Sequence, residues 1–248
     1  MLYARMIFVM ILGIYSSRFL INGLGIENYG IYILIGGVVS FFAVFNAAMM
    51  AATQRFLNYG IGSNDEEHIA KVFHTSFVIH LRIALFIFII VEICGLWLLY
   101  NKLIIPDGKM FSAFVVFQTT TIALVANILS LPFNALLISH ENISIFALLQ
   151  TLQSVFSFSI AVAINYCEGN VLIQYAIAVS VLQISIGAAY VAYCRRHYVE
   201  STGKFKKDRQ LSKEMTRFAG WCMVGCTSGI LSTQGIGILL GMFFMPFV

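Results

Sequence analysis

Long apolar runs without charge constrain this sequence more than any other feature, and residues 83–91 are apolar at every position. A membrane β-strand alternates apolar and polar residues, and a surface helix of a soluble protein keeps one polar face. A run that is apolar all round fits neither. About 20 such residues cross the hydrocarbon of a bilayer, and stretches of that length recur along the 248 residues. With 60% apolar and 10% charged residues and a mean hydropathy of +0.88, the composition is that of a chain dissolved in lipid. Lipid offers the backbone no hydrogen-bond partners, so each crossing segment must be helical. The expected fold is all-α and polytopic.

The pattern predicts seven spans, at 2–21, 29–52, 77–100, 111–138, 143–166, 171–194 and 218–247. The first lacks a small-residue cleavage site, since Ser17-Arg18-Phe19 is unsuited to processing, and it reads as a retained span. Two connections are long and charged, 55–76 and 195–217. The second holds eight of the fifteen Lys/Arg against three acidic residues, a net of +5, which leaves −1 for the rest of the chain. The positive-inside rule puts that loop in the cytoplasm, and counting back through six spans puts the N-terminus there too. The loops at 22–28, 101–110 and 167–170 then face outward, with Lys102 and Lys109 as a mild objection. The expected organisation is a six-helix lobe at 1–194, a basic cytoplasmic linker at 195–217 and a seventh helix at 218–248. The basic loop reads as a solvated face attracted to anionic headgroups, not as a nucleic-acid site.

Local signals refine this plan. Ser63-Asn64-Asp65-Glu66 has the spacing of a capping box, with the Ser accepting a backbone N–H and the Glu reaching back, so a helix should start there and run into the third span. Leu211, Met215 and Phe218 fall at i, i+4 and i+7, which predicts a helix lying along the membrane surface. Ala47-xxx-Ala51, Ala48-xxx-Ala52, Gly225-xxx-Gly229 and Gly237-xxx-Gly241 allow close helix approach. Pro132 removes a backbone bond and predicts a kink in the fourth span. The five cysteines are scattered through apolar runs, and Cys222 and Cys226 have no His or second Cys pair nearby; a structural role is expected, with no metal or other cofactor.

Charges inside hydrocarbon cost ~2.5 to 3.5 kcal/mol each, so Arg18, Arg55, Arg82 and Glu92 each need a partner, water or a route to the interface. Arg18 and Arg55 lie near span ends and can snorkel. Arg82 and Glu92 sit deeper in one helix, about 80° apart around it and about 15 Å along it, and so cannot pair with each other. Asn46, Asn127, Asn134, Gln150, Gln153, Gln183 and Gln234 add polar groups in other spans, consistent with a polar interior. Glu92 is the candidate for proton or cation coupling. His68, His74 and His80, six apart, scatter around a helix, and no outward loop is long enough for an active site, so an enzyme is not expected.

Specific stretches then look familiar. Tyr15-Ser-Ser-Arg-Phe-Leu-Ile-Asn-Gly-Leu-Gly-Ile-Glu-Asn-Tyr-Gly30, Gly36-Gly-Val-Val, Ala52-Thr-Gln-Arg-Phe56, Leu131-Pro-Phe-Asn-Ala-Leu136 and Phe218-Ala-Gly-Trp221 together resemble Wzx-type polysaccharide flippases of the multidrug/oligosaccharidyl-lipid/polysaccharide exporter superfamily. The resemblance implies two six-helix lobes around a cavity that opens alternately to each side of a bacterial inner membrane. It implies as substrate an undecaprenyl-diphosphate-linked oligosaccharide, with membrane lipid and other polysaccharide-assembly membrane proteins as partners. The substrate-binding candidates are then Arg18, Arg55, Arg82, Asn46 and Asn134, of which Arg18, Arg55 and Asn134 lie in matching stretches. Such proteins carry a second lobe, so the chain is expected to be one lobe plus the first helix of the next, lacking its C-terminal lobe. The alternatives within the resemblance are a cation-coupled drug or lipid exporter and a truncated remnant that does not transport.

Overall fold

A computed structural model describes residues 2–40, 44–103, 105–106, 108–202 and 208–225. In chain order the helices are α1 (Leu2–Ser40), α2 (Val44–Gly62), α3 (Glu66–Ile90), α4 (Leu96–Asn101), α5 (Met110–Ser139), α6 (Ile143–Ala163), α7 (Val171–His197) and α8 (209–225). A single π-turn, Val91–Gly95, joins α3 to α4, and short 3₁₀ turns follow α6 and α7. No strand occurs among the described residues. Five helical segments there are long and apolar enough to cross a membrane: Arg5–Gly37, Glu66–Asn101, Met110–Ser139, Ile143–Tyr166 and Val171–His197. The protein is all-α and polytopic, as its composition requires.

The first two expected spans are arranged differently from their prediction. They meet inside α1, where Gly25 (φ 77°, ψ 158°) turns the chain in place of the seven-residue loop. That backbone conformation carries little penalty only for a residue without Cβ. The second expected span takes in the end of α1 and the start of α2; its residues 41–43 lie outside the described residues, as do 203–207 with Lys204, Lys206 and Lys207. The seventh is described to residue 225 as part of α8; residues 226–248, with Cys226, Gly229, Gln234, Gly237 and Gly241, lie outside.

The start of α3 also departs from expectation. Ser63 closes α2: its N–H bonds the Tyr59 carbonyl and its hydroxyl donates to the Gly60 carbonyl. Asn64, at φ 52°, then turns the chain, and the Asp65 carboxylate accepts the His68 N–H at 2.9 Å. The cap is therefore Asp65, with Glu66 and Glu67 favourably placed in the first turn of the helix dipole.

The chain forms two compact units whose boundaries fall inside helices. The first comprises Met1–Val39, Ile89–Asn127 and Ser144–Ala189. Its packing relies on close approach: a Cβ on Gly23 would lie 2.8 Å from the Ile164 side chain, and one on Gly95 would lie 2.5 Å from the Phe117 ring. Phe19 packs edge-on against Phe158, and Tyr32 against Tyr175. Two of the segments expected to face outward meet here, and the third bonds the first turn of α5. Lys109 donates to Glu27 (2.7 Å) and Asn28 (2.9 Å), and Asn170 donates to Ser112 (2.7 Å).

The second unit comprises Ser40–Phe88, Ile128–Ile143 and Tyr190–Val248. Ala48 and Ala52 are fully buried while Ala47 and Ala51 are exposed, so one of the two small-residue stripes makes the contact. Phe133 is the aromatic centre, edge-on to Phe73 (5.2 Å) and Phe77 (5.9 Å). Its carbonyl also accepts the Cys194 thiol at 3.4 Å. The adjacent Pro132 leaves α5 a single element from Met110 to Ser139. On α8, Leu211, Met215 and Ala219 are buried, and Phe218 packs against Phe56. The amphipathic stripe was legible, but protein covers it, not the membrane surface.

Candidate functional site

Arg82 is exposed on α3, in the second unit, and forms one wall of a recess of about 700 Å³. The other walls come from α8, whose Arg209, Ser212, Lys213, Thr216 and Arg217 project toward it. Leu211, Met215 and Ala219 anchor the opposite side of α8, and helical periodicity turns the basic and hydroxyl-bearing residues away from that core. Among the described residues four cations and two hydroxyls therefore line the recess, and no carboxylate does. Among the described residues none of the four cations has an acidic partner within 4.0 Å. The two nearby acids are engaged elsewhere. Asp208 caps α8 by accepting the N–H groups of Gln210 (2.8 Å) and Leu211 (3.2 Å), and Glu214 accepts from Gln210.

Glu92 lies in the π-turn of the first unit. The Gln118 side chain on α5 donates to its Oε2 at 3.0 Å, while Oε1 is buried and has no hydrogen-bond partner among the described residues. A π-turn widens the helix locally and shifts side chains off the regular 3.6-residue register, a distortion often found at functional positions.

A third polar cluster is wholly internal to the second unit. Thr53 on α2 and Ser76 on α3 share a hydrogen bond of 2.8 Å, and His80 Nδ1 lies 2.8 Å from the Ser76 carbonyl. A carbonyl only accepts, so Nδ1 carries the hydrogen and Nε2 is left with its lone pair. That Nε2 is buried without a partner among the described residues, as is Oδ1 of Asn134. Nearby, Phe73, His74, Phe77, Phe133, Arg195, Ser201 and Thr202 line a cavity of about 240 Å³.

The turn between α5 and α6 is locked to the end of α7. His140 pairs with Glu200 at 3.0 Å and stacks on Tyr198 with ring centres 4.4 Å apart. Asn142 donates to the hydroxyls of Tyr193 and Tyr198. The hydrogen bond from His140 holds the Glu200 carboxyl below the usual carboxylate range against the opposing effect of its burial. Burial pushes the Tyr198 hydroxyl up.

Of the residues singled out from sequence, Arg18 and Glu92 belong to the first unit, and Asn46, Arg55, Arg82 and Asn134 to the second. Arg55 is exposed and lies over the Phe218 ring, 4.3 Å from its centre, and does not line the Arg82 recess. Arg18 is exposed on α1, Asn46 is half-buried on α2 and Asn134 is buried on α5. Sequence reading counted Arg209, Lys213 and Arg217 only as linker charge and missed that they converge on Arg82. It also passed over His140 and Glu200, sixty residues apart. The spacing of the α8 cations at 209, 213 and 217 was the available signal for the recess. No family model, curated protein or solved structure matches the chain.

Proposed function

We propose that the chain belongs to a flippase that carries a lipid-linked oligosaccharide across a bacterial inner membrane by alternating access, with the N-terminus in the cytoplasm. The observation that carries this reading is the Glu92–Gln118 pair, a carboxylate held by an amide at the π-turn of a membrane-length helix. A charged group at that depth is costly and marks a path for ions or polar substrates more often than a packing contact. The resemblance of the stretches around Arg18, Arg55 and Asn134 to polysaccharide flippases supplies the substrate class. In this reading Glu92 couples transport to a cation, and Arg18, Arg55, Arg82, Asn46 and Asn134 contact the diphosphate and sugar during passage.

The test is genetic and chemical together. Deleting the gene should abolish surface polysaccharide and leave undecaprenyl-diphosphate-linked glycan on the cytoplasmic leaflet, and the wild-type gene should restore both. Glu92→Gln should restore less than a tenth of the surface polysaccharide at equal protein level. Undiminished polysaccharide in the deletion strain would sink the proposal, and drug accumulation in that strain would favour the drug-exporter alternative.

A further inference from the structure

We infer that the recess between Arg82 and α8 is a binding site for a phosphate group, and that its occupant is the headgroup of an anionic phospholipid. The inference does not depend on the transport reading. Arg209, Ser212, Lys213, Thr216 and Arg217 fall within an arc of about 140° on α8, opposite Arg82. Guanidinium groups, an ammonium and the Ser212 hydroxyl are donors that phosphate oxygens take, whereas the Thr216 hydroxyl donates to the Ser212 carbonyl; Arg adds a fork that bonds two oxygens at once. Among the described residues no carboxylate lines the recess to neutralise these groups, and Asp208 and Glu214 are held by other bonds. Four like charges so arranged repel one another until an anion enters.

The surroundings of Arg82 distinguish a lipid from a soluble anion. Leu85 and Phe86 flank its position one turn further along α3 and are 62% and 61% exposed. They leave an exposed apolar surface beside Arg82, which a free phosphate could not use and an acyl chain could. Arg82 lies only five residues, about 7 to 8 Å, inside the expected start of the third span at Phe77, so its long side chain can snorkel to the headgroups. Juxtamembrane basic clusters attract anionic headgroups for the same reason. The difference here is a formed recess that would hold α8 to one lipid.

The full chain, purified in detergent and stripped of lipid, would be titrated with phosphatidylglycerol, phosphatidylcholine or inorganic phosphate and the bound molecules counted by native mass spectrometry. Phosphatidylglycerol should be retained at least tenfold better than phosphatidylcholine. The double variant Arg82→Gln with Lys213→Gln should reduce that retention about tenfold, whereas a control, Arg196→Gln combined with Lys102→Gln, an equal charge change outside the recess, should leave it unchanged. Inorganic phosphate at millimolar concentration should not displace the lipid. Should the double variant misfold, Arg82→Lys with Lys213→Arg keeps the charge and should keep the lipid. Equal retention of both lipids, wild-type retention in the double variant, loss of lipid in the charge-keeping variant or displacement by inorganic phosphate would each overturn the inference.

Discussion

Replacing Gly95 by alanine tests whether the π-turn is held in place by packing. The added Cβ would lie 2.5 Å from both Cε2 and Cζ of Phe117, well inside van der Waals contact. Phe117 is 2% exposed, so its ring has no free volume to move into. Forcing a methyl group into a filled core typically costs about 1 to 3 kcal/mol. The same substitution at Gly30 meets nothing within 4 Å, and a helical Gly-to-Ala change in open space gains roughly 0.5 to 1 kcal/mol. The two variants should therefore differ by about 2 to 4 kcal/mol in opposite directions from wild type. Unfolding by titration with a denaturing detergent in mixed micelles would measure both. Phe117→Leu removes the atoms that collide, so adding it to Gly95→Ala should recover most of the loss, giving a favourable coupling of about 1 to 2 kcal/mol in the double-mutant cycle. Gly95 shares its turn with Glu92, and Phe117 adjoins Gln118, so Gly95→Ala should also weaken the Glu92–Gln118 bond. If Gly95→Ala is as benign as Gly30→Ala, or the coupling is zero, the π-turn is not set by this contact.

Two further outcomes follow from local geometry. Asp65→Ala removes the bond to the His68 N–H and should cost about 1 kcal/mol, seen as faster hydrogen exchange in the first turn of α3, while Ser63→Ala should leave that turn protected. Glu200 has a folded pKa below its unfolded value because His140 bonds the carboxylate, so its contribution is complete above the ordinary carboxyl range and is lost as pH falls through the folded value. Thermal stability should therefore decline below about pH 4.5 in wild type and decline less in Glu200→Gln; parallel curves would exclude the pair as a source of acid sensitivity.

Why some features were legible and others were not comes down to how far each argument had to reach. Residues 83–91 declare their solvent by themselves, because nothing but lipid or a large core accepts a helix apolar on all sides. Around residues 63–66 two capping schemes compete within one window, and propensity cannot choose between Ser63 and Asp65. The positive φ of Asn64 decides it, a backbone state that depends on where α2 stops. Gly25 was in view as part of a loop, but that one residue could replace the loop is a statement about φ, not composition.

The basic recess required the longest reach. Arg82 demands a partner by its cost in hydrocarbon, and Arg209, Lys213 and Arg217 announce a charged stripe by their spacing of four. One sequence offers no sign that these signals concern the same place, since 127 residues separate Arg82 from Arg209. The apolar side of α8 links them. As long as Leu211 and Met215 are assigned to the membrane surface, the basic side must face water, and its charges need no further account. Once Leu211 and Met215 are buried in protein, the helix is fixed in rotation and its basic stripe is committed to a particular neighbour, which is α3 at Arg82. The charge pattern was thus readable in one dimension, but its meaning depended on what buried the opposite face.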